Sequence, residues 1–305
     1  MLQCSQAMFL VAPLLTSLAI AVGPMPDPCV TPASKTGPAP DHAVFTSVLS
    51  SVVHRGNRLG INSTLVDYGK LRNDPSTLKR YMVSLCNTNV EALSLEAQLA
   101  FWANAYNALM LSIMVHYNEA GESVNTLHEV VPGGSIWQEP LGTVGGEKVS
   151  LDIIEHVKVR NSGLAFKAGV AGRIHAAFVC ASLSCPDLQA EAFEANTMIA
   201  QITANTQSWL ANPTKNPGPR GSNGVTISKI FDWYGGDFKM ESTTVAGFLR
   251  KYSPWSVDRI QDDVSIAYID YNWNLNGISI KASSSRAESV TSLLVVTLVL
   301  AIMQQ

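Results

Sequence analysis

The chain has 305 residues, 47% of them hydrophobic and only 15% charged, against a usual charged share of about 25%. A net charge of −3 and an isoelectric point near 6.1 leave no electrostatic footprint for nucleic acid, and five cysteines are too few for a disulfide scaffold. The length allows one large domain or two modest ones, with a mean hydropathy of +0.13 that the two ends largely account for.

Residues 8–22 form an uncharged apolar run followed by small residues, too short for a membrane span of about 20 residues. A signal peptide over residues 1–23 is expected, although residues 1–7 carry no Lys or Arg. Residues 24–40 are rich in proline and read as an extended spacer. Asp41 caps a helix with Phe45, Val48, Leu49, Val52 and Val53 at helical spacing. Asp74-Pro75 opens another, carrying Leu78, Tyr81, Met82 and Leu85 on one face. Ser94 starts the longest helix, which runs to about Tyr117 and is apolar nearly all round, so it belongs at the centre of the domain.

The pattern then changes. Residues 143–149 predict a hairpin around Gly145-Gly146, and Ser150 caps a short helix that ends near Glu155 and His156. Residues 173–180 (RIHAAFVC) predict a buried strand. A helix is expected over about 196–211, a surface loop over 212–224, strands over 225–227 and 265–269, and a helix over 245–252. The class is α+β: a single domain with a helix-rich first half and a small sheet of short strands in the second. Residues 41–90 would form its N-terminal helical part and 91–280 its core. Residues 281–305, a polar spacer and an apolar tail, resemble a GPI-attachment signal or a tail anchor. These ends predict a secretory route to the extracellular side or cell surface, with the membrane met through the tail. Asn62-Ser63-Thr64 is a glycosylation sequon. Signal cleavage would leave Cys29, Cys86, Cys180 and Cys185. Cys29–Cys86 would tie the N-terminal segment to the body; Cys180 and Cys185 would either close a small loop or stay thiols.

Five ordered blocks resemble the DUF547 family: residues 99–108 (LAFWANAYNA), 149–156 (VSLDIIEH), 173–186 (RIHAAFVCASLSCP), 227–238 (ISKIFDWYGGDF) and 268–276 (YIDYNWNLN). Asn272 departs from the family's usual Asp. The resemblance implies identity without a reaction, because the family is defined as a domain of unknown function.

Within these blocks, Asn104 and Asn107 share one face of an apolar helix. They either bond neighbouring backbone or face a pocket, orienting a histidine or donating to an oxyanion. A Cys/His pair is the minimum for thiol chemistry. It would assign Cys185 as nucleophile, His175 as base and Asn107 or Glu155 as orienter of the ring. In a strand, His175 and Cys180 would point to opposite faces, which disfavours a shared metal site; no metal or cofactor is expected. That thiol chemistry would make the protein a thiol-dependent hydrolase or acyl-transferase. The alternative is a non-catalytic module for a small-molecule, peptide or glycan ligand, suggested by the aromatic and amide clusters at 233–238 and 271–274.

Overall fold

The computed structural model describes residues 24–29, 35–117, 126–131 and 133–278. The expected signal peptide and C-terminal tail lie outside the described residues. Helix α1 (His42–Val52) starts where the Asp41 carboxylate accepts the Ala43 N–H, and it buries Phe45, Val48, Leu49 and Val52. Strands β1 (Val53–Arg58) and β2 (Ile61–Val66) then pair as an antiparallel hairpin. Helices α2 (Tyr68–Asn73) and α3 (Ser76–Leu85) follow, and both pack with α4 (Leu95–Tyr117). Ser94 Oγ caps α4 through the Ala97 N–H, 3.2 Å away. Side chains on every face of α4 are buried, from Leu99 to Met114, so it is the axis of the larger core. Among the described residues no helix is long and apolar enough to cross a membrane.

The hairpin β3 (Gly142–Val144) and β4 (Glu147–Val149) turns on Gly145 and Gly146 at φ +58° and +80°. Two left-handed residues in succession suit a two-residue hairpin loop. The helix after Ser150 is wider than an α-helix: residues Ile153–Arg160 form a π-helix. It runs past His156, whose ring therefore lies beside Asp152 and Arg160 and not at a helix end. Helix α5 (Leu164–Lys167) is a single turn.

The strand expected over 173–180 is not formed. Arg173–Ala176 is a 3₁₀ turn, and residues 177–180 are irregular. The cause is local. The Glu241 carboxylate accepts the Gly172 and Arg173 N–H groups and pairs with Arg173 Nε at 2.5 Å, so these donors have no need of a ladder. Helix α6 (Met198–Leu210) precedes a segment that is less exposed than its composition suggests. Lys215 and Asn216 are buried within it, and β5 (Gly218–Arg220) pairs antiparallel with β6 (Gly224–Ile227). Helices α7 (Ile230–Trp233), α8 (Gly235–Ser242) and α9 (Val245–Tyr252) lead to β7 (Ser265–Tyr268), which lies parallel to β6. Trp209, Phe231, Phe238 and Phe248 centre a second, smaller core.

The N-terminal residues are held against the body. Cys29 is disulfide-bonded to Cys86, Asp27 bonds Thr143 and Lys148, and Gly37 pairs with Thr88. The last described segment returns to bridge β2, residue 126 and the loop after Cys180.

Candidate functional site

The two buried asparagines of α4 clamp backbone. Asn107 Nδ2 donates to Ala177 O (2.9 Å) and its Oδ1 accepts the Val179 N–H (3.0 Å). Asn104 holds Phe193 in the same way. Asn107 thus fixes the irregular stretch between His175 and Cys180, and with it the aim of both side chains. Because that stretch is no strand, His175 and Cys180 do not diverge. They line one cleft of about 350 Å³, together with Glu155 from the π-helix, Cys185, Tyr234 and Tyr271.

His175 is buried and its ring stacks on Tyr234 at 4.1 Å. Its Nε2 lies 2.8 Å from Asp237 Oδ2, and its Nδ1 faces Glu155 Oε1 at 3.8 Å. Burial alone would raise the Asp237 pKa, but hydrogen bonds from His175 and Arg160 hold it at about 2. An ionised Asp237 makes Nε2 the protonated nitrogen and leaves the Nδ1 lone pair toward Glu155. Arg160 Nε also bonds Asp237 (2.6 Å), with its guanidinium over the Tyr234 ring. Burial holds the His175 pKa down against the pull of Asp237. Burial also pushes Glu155 up to about 7, reinforced by negative charge on Cys180 and opposed by Arg160. Glu155, His175 and Asp237 therefore form a file in which an ionised Asp237 orients the imidazole and Glu155 is poised near neutrality.

The thiols form a second feature. The loop 181–184 doubles back, helped by Ala181 in a left-handed conformation (φ +64°) that costs about 1 kcal/mol. Hydrogen bonds from Asn276 N to Ala181 O and from Leu183 N to Asn274 O hold it there. The reversal brings Cys185 to Cys180, not to the imidazole: the Cys180 N–H donates to Cys185 Sγ at 3.1 Å. Both cysteines are free thiols, so the small-loop disulfide is absent. Cys180 Sγ also meets Ser182 Oγ (3.2 Å) and Tyr271 OH (3.5 Å). The Cys185 thiol and these hydroxyls, acting against burial, lower the Cys180 pKa to about 6. Burial and the neighbouring Cys180 charge push Cys185 well above its ordinary value. Lys215, itself buried, anchors the far end of the loop by donating to Cys185 O (2.5 Å), Ser63 Oγ and Asp187.

Sequence reasoning thus picked out Cys185, His175 and Glu155, which the fold gathers at the cleft, and Asn107, which stands behind it as a clamp. It gave Cys180 to a loop disulfide or an unreactive thiol and Tyr234 and Asp237 to a ligand platform, and it passed over Arg160. Asp237 and Tyr234 stand in the FDWYGGDF motif, but only the fold pairs them with His175. Asn272 Oδ1 accepts the N–H of Asn274 (2.9 Å), a role the family's usual aspartate could fill equally. Trp137, Trp233 and Trp273 complete the cleft as an aromatic wall, with Trp233 44% exposed.

Fold and cleft together define an α+β domain with a recessed thiol and a buried carboxylate–imidazole file. Residues 90–210 match the family described as "Protein of unknown function, DUF547", and the chain carries a DUF547 domain. The match spans α4, the π-helix, His175 and both cleft thiols. No curated protein and no solved structure matches the chain.

Proposed function

We propose that the cleft is the active site of a thiol-dependent hydrolase or acyl-transferase in which Cys180, rather than Cys185, is the nucleophile. One observation carries this reading: Cys180, Glu155 and His175 line the same cleft, with Asp237 bonded to the ring of His175. The Cys180 thiolate attacks an acyl carbon, forming a thioester as the leaving amine or alkoxide departs with a proton from Glu155. The Glu155 carboxylate then takes a proton from water, or from an acceptor alcohol or amine, as it attacks the thioester and Cys180 leaves as thiolate. His175 turns its Nδ1 lone pair toward Glu155 from 3.8 Å, and Asp237 with Arg160 keeps the ring oriented. Activity should trace a bell in pH, rising as Cys180 ionises near 6 and falling as Glu155 deprotonates near 7. The test is the pH dependence of iodoacetamide labelling in the native protein, followed peptide by peptide. Labelling of Cys180 with a midpoint near 6 supports the assignment; a Cys180 that resists alkylation up to pH 9 removes it.

The aromatic wall favours a second reading, a non-catalytic peptide or glycan module, since exposed indole faces stack on apolar surfaces. Screening peptide and glycan arrays with Trp233→Ala beside the unaltered protein separates the two. Ligand capture that needs Trp233 but survives Cys180→Ala would favour binding. We propose a secretory, surface-anchored location as well. The Cys29–Cys86 bridge supports it, because disulfides persist in oxidising compartments. Mass spectrometry of the native mature protein, reading both termini and Asn62, is the test.

A further inference from the structure

Cys180 and Cys185 are adjacent, yet they face different surroundings. Cys180 opens onto the cleft among hydroxyl donors, while the sulfur of Cys185 sits over the Cys180 amide and 3.6 Å from Phe178 O. The backbone on both sides is fixed, by Asn107 at Val179 and by Lys215 at Cys185, so the sulfurs are held as neighbours rather than meeting by chance. A cleft-lining, ionisable thiol among hydroxyls, beside a second thiol held by backbone groups, is the arrangement in which the first is oxidised and the second resolves it. The molecule's other cysteine pair is already oxidised, so it is not a source of further thiol.

We infer that Cys180 and Cys185 are a peroxide-responsive dithiol: a hydroperoxide oxidises Cys180, and Cys185 converts the product to a reversible disulfide. The inference rests on Cys180 being the reactive thiolate, as the proposed function does, but it requires no acyl transfer. In the first step the Cys180 sulfur attacks the terminal oxygen of the hydroperoxide. An S–O bond forms, the O–O bond breaks, and the alcohol or water leaves after taking a proton. Sulfur loses two electrons and the peroxide gains them, giving a sulfenic acid. In the second step the Cys185 sulfur displaces that hydroxyl. An S–S bond forms, the S–O bond breaks, and the thiol proton leaves with the hydroxide as water. Ser182 Oγ and Tyr271 OH are placed to hydrogen-bond the sulfenic oxygen. The disulfide removes the proposed nucleophile, so the cleft would be silenced by oxidant and restored by a thiol reductant.

The test titrates the full chain with hydrogen peroxide at pH 7, then blocks remaining thiols and maps the peptides by mass spectrometry. The expected result is a Cys180–Cys185 linkage lost on dithiothreitol treatment. In Cys185→Ser, Cys180 should stop at a sulfenic acid trapped by dimedone. In Cys180→Ser, oxidation at Cys185 should be at least about tenfold slower, because its thiolate is scarce. Persistence of both thiols in the unaltered protein, or equal oxidation of Cys185 in Cys180→Ser, would overturn the inference. Alkylation of Cys180 near pH 6 without any linkage would end this inference and leave the proposed function standing. A Cys180 inert to both reagents would end both.

Discussion

The two cysteine pairs use the same chemistry for different ends. Cys29 and Cys86 are 57 residues apart, with Cα atoms at 5.8 Å, and their bond ties a proline-rich segment to the end of α3. Cys180 and Cys185 are five apart, within one hydrogen-bonded loop, and remain thiols. In the chain-entropy picture, closing a loop of the first length stabilises by about 4 kcal/mol and the second by about 2 kcal/mol. The short loop is already closed by Asn276, Asn274 and Lys215, so a bond there would add little constraint. A distant pair holds the fold together, whereas a near pair in a cleft is free to react.

The contrast can be broken experimentally. The largest effect should come from Cys180→Ala, which should lower turnover of any substrate found by screening roughly a thousandfold, about 4 kcal/mol. The same change at Cys29 should leave turnover intact. Replacing Cys29 and Cys86 together by serine should instead lower unfolding stability by about 4 kcal/mol, read from denaturant midpoints; Cys185→Ser should cost much less. Asn107→Ala strands the Ala177 carbonyl and Val179 N–H behind the reactive thiol. Unfolding stability should fall by about 2–4 kcal/mol, and the sharp midpoint of Cys180 alkylation should blur. The smallest effect is expected at Glu155. Its folded pKa lies above its unfolded value, so its contribution is fully present below about pH 4.5 and is lost as pH rises through about 7. Glu155→Gln should therefore be more stable than the unaltered protein at pH 8 and close to it at pH 4, read from denaturant midpoints at the two pH values. Equal stability at both pH values would argue against an ionised, buried Glu155.

Much of the fold is legible because its signals are local. Asp41, Ser94 and Ser150 cap helices where expected, and Gly145-Gly146 turns the hairpin. The β1–β2 hairpin is harder to read. Its sequences, VHRGNR and INSTLV, show no clean alternation, since only Val53, Ser63, Thr64 and Val66 are buried. The run RIHAAFVC is apolar because it is buried, and burial alone does not distinguish a strand from a 3₁₀ turn whose donors are met by Glu241, 69 and 68 residues further along the chain.

The sequence by itself determined the family blocks, the central helix, the α+β class and the residue types that gather at the cleft. Tertiary structure decided which thiol is acidic, that Asp237 and not Asn107 orients His175, and that Asn107 serves as a backbone clamp. The reason is physical: a capping residue or a glycine pair acts within a few positions of itself. The acidity of Cys180, by contrast, depends on Cys185, brought to it by a reversed loop whose anchors come from the end of the domain, and then on Ser182 and on Tyr271, a hydroxyl 91 residues away.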